Sequence, residues 1–311
     1  LVRRSTPRRP RRRFKWTLTR RRTVLLVGAV CGLLALGFMV GMRLAGSDHR
    51  VVRSVPPSEQ YLDDSWQKTT RRYEKPGVQD TKRQGSEAGR VAIVIDDLGP
   101  NLQYARRLTG LDPSMTFAVI PWQVHSKEIV QLATSLGMEV ILHQPMEARQ
   151  HQGDGMPGML YTSMTDREIM DTLSANLDAY SGIAGINNHM GSAFTEDARA
   201  LGVVFEVLKE KGLYFLDSRT TDRTVGRKLG RLHELPVFER DVFLDSESDD
   251  EYMTGMWARF LREAGANGHA VLIAHGRLES IEFLEARLPE LKGERLRLLP
   301  LSALYTGNPD T

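Results

Sequence analysis

The chain has 311 residues, 41% hydrophobic and 26% charged, a globular composition long enough for one large domain or two ordinary ones. Its net charge of +3 conceals a split: residues 1–22 hold eleven Lys or Arg and no acid, which leaves 31 basic against 39 acidic side chains elsewhere. The pI near 9.0 therefore belongs to the tail and is no argument for a nucleic-acid-binding domain; the remainder is acidic, and no nucleic-acid partner is expected.

The first predicted element follows the tail. TVLLVGAVCGLLALGFMVGM, residues 23–42, carries no charge and is flanked by Arg22 and Arg43. As a helix it would span about 30 Å, the hydrocarbon thickness of a bilayer. Basic residues crowd its N-terminal side, and no small-x-small cleavage site follows. The expectation is a single-pass, uncleaved anchor in a bacterial inner membrane, with the tail cytoplasmic and the C-terminal domain periplasmic. The only cysteine, Cys31, lies inside this segment, so the part beyond it has no disulfide and no cysteine-based site. Residues 43–89 are polar and charged, contain Pro56, Pro57 and Pro76, and show no sustained period; they read as a flexible linker.

From Arg90 the texture changes to short apolar runs alternating with amphipathic stretches. Strands are predicted at 91–96, 115–120, 138–143, 183–187, 213–217, 241–245, 270–275 and 296–300. Helices are predicted in SKEIVQLATSLG, DREIMDTLSANLDAY, EDARALGVVFEVLKEKG and EYMTGMWARFLREAG. Thr195 and Asp197 mark a helix start and Lys211-Gly212 a helix end. Strand–helix alternation repeated this often implies an α/β domain over 90–306 with a mainly parallel sheet, either a (β/α) barrel or an open doubly wound sheet; 307–311 are a tail.

Parallel α/β sheets build sites where their strands end. Here the strand ends deliver Asp96-Asp97, His143 with Glu147 beyond it, Asn187-Asn188-His189, Asp217-Ser218-Arg219 and His275-Gly276-Arg277. Any one of these could cap a helix or satisfy a loop amide. Their recurrence on one predicted edge points to a metal or acid–base site. His and Asp suit Zn²⁺ and similar divalent ions, and a three-ligand set leaves room for water or a substrate oxygen. The other histidines carry less. His125 reads as a helix cap, His151 lies in a Gly-rich loop, and His233 and His269 read as surface residues. There is no GxGxxG, Walker loop, HExxH or GxSxG, which counts against nucleotide, zincin and serine-hydrolase chemistry.

IDDLG, FAVIP, HQPME, NNHMGS, LDSRT and IAHGR, in this order and spacing, resemble the divergent polysaccharide deacetylases, an offshoot of the NodB-type carbohydrate esterases. The resemblance covers about residues 90–306. It implies a distorted (β/α) barrel of about seven strands with a divalent metal, Zn²⁺ by expectation, at the strand ends. It also implies Asp96 as general base, Asp97 and His143 as metal ligands, and His275 as general acid. The parent family has a second His four residues after the first; this chain has Glu147. The parent's Arg-Pro-Pro motif is replaced by Asn187 to Gly191. The third ligand is then His189, or alternatively Glu147. Asn188, Asp217, Arg219 and Arg277 remain as substrate-binding candidates. The expected activity is removal of an acyl group from an N-acetylated envelope polysaccharide or peptidoglycan. The motif departures leave a second reading, a catalytically inactive metal-binding module that recognises cell-wall glycan or an envelope protein.

Overall fold

The computed structural model describes residues 89–150 and 155–304. The expected tail, anchor, linker and His151 lie outside these residues. No helix among the described residues is long and apolar enough to cross a membrane.

Nine strands form one parallel sheet: β1 (Gly89–Leu98), β2 (Thr116–Val119), β3 (Glu139–Met146), β4 (Ile183–Met190), β5 (Tyr214–Asp217), β6 (Val237–Glu239), β7 (Val242–Phe243), β8 (His269–His275) and β9 (Leu296–Leu298). The order is 6-5-4-3-2-1-8-7, and β9 pairs with the start of β1. The helices are α1 (Leu102–Thr109), α2 (Ser126–Ser135), α3 (Asp166–Asp178), α4 (Ala198–Lys211), α5 (Gly226–His233), α6 (Asp250–Asn267), α7 (Leu278–Arg287) and α8 (Glu290–Gly293).

The two edge strands, β6 and β7, are consecutive in the chain with only Arg240 and Asp241 between them. So short a link cannot cross an open eight-strand sheet, so the sheet must curl until its edges approach. The link binds both sides: the Arg240 N–H donates to the Asp217 carbonyl on β5, and the Asp241 N–H donates to Val271 on β8. No ladder joins β6 to β7 among the described residues, so the result is an incompletely closed parallel barrel.

The two-residue period of each strand sorts side chains between the barrel interior and the helix layer. Val91, Ile93 and Ile95 pack toward helices, whereas Ala92 and Val94 join an interior cluster with Ala118, Ile141, Leu216, Val271 and Ile273. Continuing each interior register by two residues gives Asp96, His143, Ser218 and His275. The outward registers run differently: Ile186 and Phe215 belong to the helix-side core, which puts Asn187 inside and Asp217 outside.

The structure has nine strands, against the eight segments predicted and the seven or so that the resemblance implies. LPVFERDVFLD, which contains the predicted 241–245 strand, holds two strands of three and two residues, too short to show a period. β3 and β4 also run three residues past the predicted ends. β3 does so through Pro145, which is tolerated because the ladder to β2 stops at Leu142; on that side only Leu160 bridges the extension, donating its N–H to the Pro145 carbonyl and asking no N–H of the proline.

Candidate metal centre

β1 departs from regular alternation just where its carboxylates lie. Asp97 has a left-handed backbone with φ 60°, and the pairing with β2 shifts register between Ile95 and Leu98. Adjacent strand residues are expected to point to opposite faces. Here the local kink turns both toward β3, so His143 Nε2 lies 3.7 Å from Asp96 Oδ2 and 3.2 Å from Asp97 Oδ1.

His189, from the extended end of β4, completes a triangle. Its Nδ1 is 2.9 Å from Asp97 Oδ1 and 3.1 Å from His143 Nε2. Ligands about 2.0–2.2 Å from a tetrahedral Zn²⁺ lie roughly 3.3–3.5 Å apart, close to these separations. Asp97 Oδ1 is buried and accepts no well-aligned hydrogen bond, although two ring nitrogens face it. A buried acceptor without a donor is costly unless something else satisfies it, and a cation would. On these grounds the residues present fit a divalent metal, and Asp97, His143 and His189 form a possible metal site.

The surrounding hydrogen bonds orient the triangle. Asn187 Nδ2 donates to Asp96 Oδ1 (2.8 Å) and Ser218 Oγ (3.2 Å), which leaves Asn187 Oδ1 facing His143 Nδ1 at 2.8 Å. An amide oxygen only accepts, so His143 Nδ1 carries the proton there and Nε2 is the atom presented to the site. On the other side, Asp245 holds His275: Oδ2 accepts its backbone N–H at 2.8 Å and Oδ1 lies 3.1 Å from Nδ1. His275 Nε2 is then 3.7 Å from Asp97 Oδ2.

Burial and charge set the protonation pattern. Desolvation pushes the Asp96 carboxyl above its ordinary value, and His143 and His275 only partly offset it. Burial alone would also raise Asp97, but the imidazoles of His189 and His275 outweigh it and hold this carboxyl well below the usual range. Burial disfavours the His143 cation, yet Asp96 and Asp97 pull its pKa up. For His275 burial is likewise outweighed, chiefly by Asp245 and then Asp97, and the pKa rises to about 9.

The predicted candidates therefore separate. Asp96, Asp97, His143, His189 and His275 come together. Glu147 does not: its Oε2 accepts from the N–H and Oγ1 of Thr162 at 2.7 and 2.5 Å. Asn188 is a brace, accepting from Ser218 N–H and donating to the Met190 carbonyl. Asp217 faces the helix layer, where it accepts from Thr224 Oγ1 and the Arg219 N–H; a Cβ on Gly226 of α5 would lie 2.7 Å from its Oδ2. Arg219 pairs with Glu239 at 2.9 Å. Arg277 is half-buried beside His275. His125 stands at the start of α2 but caps nothing; it pairs with Glu128 instead. His233 packs edge-on against Phe205, and His269 is exposed.

Comparison with known proteins settles the lineage. The profile described as divergent polysaccharide deacetylase matches residues 93–305, more than half of the chain. The chain belongs to the divergent polysaccharide deacetylase family. It is 29% identical to an uncharacterized protein of Haemophilus influenzae, over 70% of this chain and 76% of that one. It is also 29% identical to the uncharacterized protein YibQ of Escherichia coli K12, over 72% and 70% of the two chains. Among solved structures, an uncharacterized protein of Agrobacterium tumefaciens C58 superposes with a TM-score of 0.68 at 24% identity, covering 72% of this chain and 92% of that one, a likeness of fold.

Two residues of this member of the divergent polysaccharide deacetylase family escape a sequence reading. Asn187 is a neutral amide in an Asn-Asn pair, and only the strand register separates its role from that of Asn188. Asp245 ends the predicted strand DVFLD, and the same strand-end logic that singled out Asp96 and His275 applies to it.

Proposed function

We propose that this protein is a metal-dependent deacetylase that removes an N-acetyl group from an amino sugar of an envelope polysaccharide or peptidoglycan. Membership of the divergent polysaccharide deacetylase family supports the substrate class. The observation that carries the chemistry is the close triangle of Asp97, His143 and His189, flanked by a buried carboxyl and an imidazole held by Asp245. A divalent ion such as Zn²⁺ on these three residues would supply Lewis acidity to the acyl carbonyl and to water.

The chain's own groups do the proton work. Asp96 lies beside the triangle without joining it and accepts the proton of the attacking water; its raised pKa makes it a stronger base than an exposed carboxylate. His275, held by Asp245 with its pKa raised, donates to the departing amine nitrogen. Asn187 fixes Asp96 and His143 relative to each other. In this reading the uncharged segment 23–42 anchors the protein in the inner membrane, and the linker 43–89 carries the domain to periplasmic glycan.

The test couples metal content to turnover. Elemental mass spectrometry on the purified protein should find near-stoichiometric divalent metal, lost in folded Asp97→Ala, His143→Ala and His189→Ala. Asp96→Asn should keep the metal and lose at least about a hundredfold in deacetylation of an N-acetylglucosamine oligomer, the scale of general acid–base catalysis. Bound metal without turnover of any N-acetylated glycan would instead support the inactive binding module. No metal even after reconstitution would end both readings.

A further inference from the structure

Four arginines stand at the same edge of the sheet as the candidate metal centre, in two triads of two guanidiniums around one carboxylate. In the first, Arg149, beyond β3, and Arg223, beyond β5, both reach Glu196, which also accepts from Thr221 Oγ1 at 2.6 Å. In the second, Arg219, beyond β5, and Arg227 of α5 reach Glu239 at 2.9 and 3.4 Å. The acids are sunk and the arginines stand out. Glu196 and Glu239 are 13% and 19% exposed, against 48% and 62% for Arg149 and Arg223 and 33% and 66% for Arg219 and Arg227.

Each triad thus has one guanidinium more than its carboxylate offsets; around the second, Asp217 and the buried Arg240 also act on Arg219, with opposite signs that leave the balance unchanged. A guanidinium has five N–H donors, and these contacts engage only one or two of them. The surplus runs against the composition, since residues 89–304 hold 22 Lys and Arg against 31 Asp and Glu. The segments that carry these arginines also lie against the end of the candidate metal centre's own strand and the residues just past it. Arg149 N–H donates to Ser192 Oγ, three residues past His189, and Thr220 Oγ1 donates to the carbonyl of Met190, next to His189. On the other flank, the run Glu247 to Glu251 after β7 is acidic. The edge is therefore polarised, basic beside His189 and acidic beyond Asp245.

We propose that the two triads form a binding strip for an acidic polysaccharide, so that the substrate is an N-acylated glycan that also bears carboxylates. This rests on the deacetylase reading. Guanidiniums recognise carboxylates through paired, charge-assisted N–H bonds, and spaced triads suit a polymer with repeated charges better than a single small anion. A glycan is favoured over a lipid surface because a chain lying across the candidate metal centre toward β5 must pass over the strip.

The test is hydrogen–deuterium exchange of the full chain in detergent, titrated with polygalacturonate, with neutral dextran and with phosphatidylglycerol vesicles. Peptide resolution separates the strip from the basic tail at residues 1–22, which binds any polyanion. Polygalacturonate should protect peptides covering 191–199 and 219–229, more weakly as salt rises, and dextran should not. Arg149→Gln/Arg227→Gln, which leaves each Glu one arginine, should raise the apparent Kd at these peptides about tenfold. Glu196→Gln should lower it, an opposite sign that misfolding would not produce. Equal protection by dextran, indifference to the arginine substitutions, or protection by vesicles alone would each overturn the proposal. None of these readouts needs turnover, so failure of the strip and failure of the deacetylase reading are seen separately.

Discussion

Asn187 joins the two halves of the candidate site, because its amide serves Asp96 with one end and His143 with the other. Both partners are buried, so Asn187→Ala leaves two polar groups unsatisfied and should destabilise the protein by about 2–4 kcal/mol. Urea denaturation checks this, and a loss below about 0.5 kcal/mol would show that the bridge contributes nothing. Asp217 has the opposite character. Burial pushes its carboxyl above the ordinary value, against the pull of Thr224 and the Arg219 amide. The native state then holds the proton more tightly than the unfolded chain, so the Asp217 contribution is full below about pH 4 and is lost as pH rises through the folded-state pKa. Asp217→Asn should accordingly gain in stability relative to wild type as pH climbs from about 4 to 7. A gap that stays constant with pH would remove burial as the cause. The sequence placed Asp217 at the site and passed over Asn187 because residue type was legible and strand register was not. Both lie at strand ends, and the difference between them is one residue of alternation, fixed only when Ile186 and Phe215 pack against helices.

At the scale of elements, the end of α4 was legible to the residue and its start to within two, between Thr195 and Asp197. Asp197 accepts from the Arg199 and Ala200 N–H groups, and Gly212 closes the helix at φ 67°. Asp197→Ala should therefore cost about 1 kcal/mol, read as a shift of the denaturation midpoint, whereas Asp197→Asn should cost little, since Asn caps as well as Asp. Equal losses in the two variants would place the effect on charge rather than on capping. β6 and β7 were not legible as two strands, and the reason is physical. Strands of three and two residues show no period, and their position is set by closure of the sheet through Arg240 and Asp241. Propensity is local, whereas barrel closure is a property of the whole sheet. The kink at Asp97 belongs to the same class: the carboxylate pair was visible, but the left-handed turn that aims both carboxylates at His143 was not.

At the scale of the molecule, the candidate metal centre draws its residues from β1, β3 and β4, so a bound ion would staple together strands far apart in sequence. Anything that binds the folded state and not the unfolded chain stabilises it by mass action, about 2.7 kcal/mol at a hundredfold excess over Kd. For a domain of roughly 200 residues this corresponds to about 5–10 °C in Tm. Thermal unfolding of the protein stripped with chelator and then given Zn²⁺ should show a rise of this size, reversed by renewed chelation. His189→Ala and Asp97→Ala should unfold cooperatively and show no rise. Glu147→Gln should respond like wild type, because its carboxylate is committed to Thr162 rather than to the triangle. A Zn²⁺ response lost with Glu147 and kept without His189 would move the centre to Asp97, His143 and Glu147, on β1 and the end of β3. It would mean that the 3.1 Å approach of the two imidazoles is packing rather than coordination.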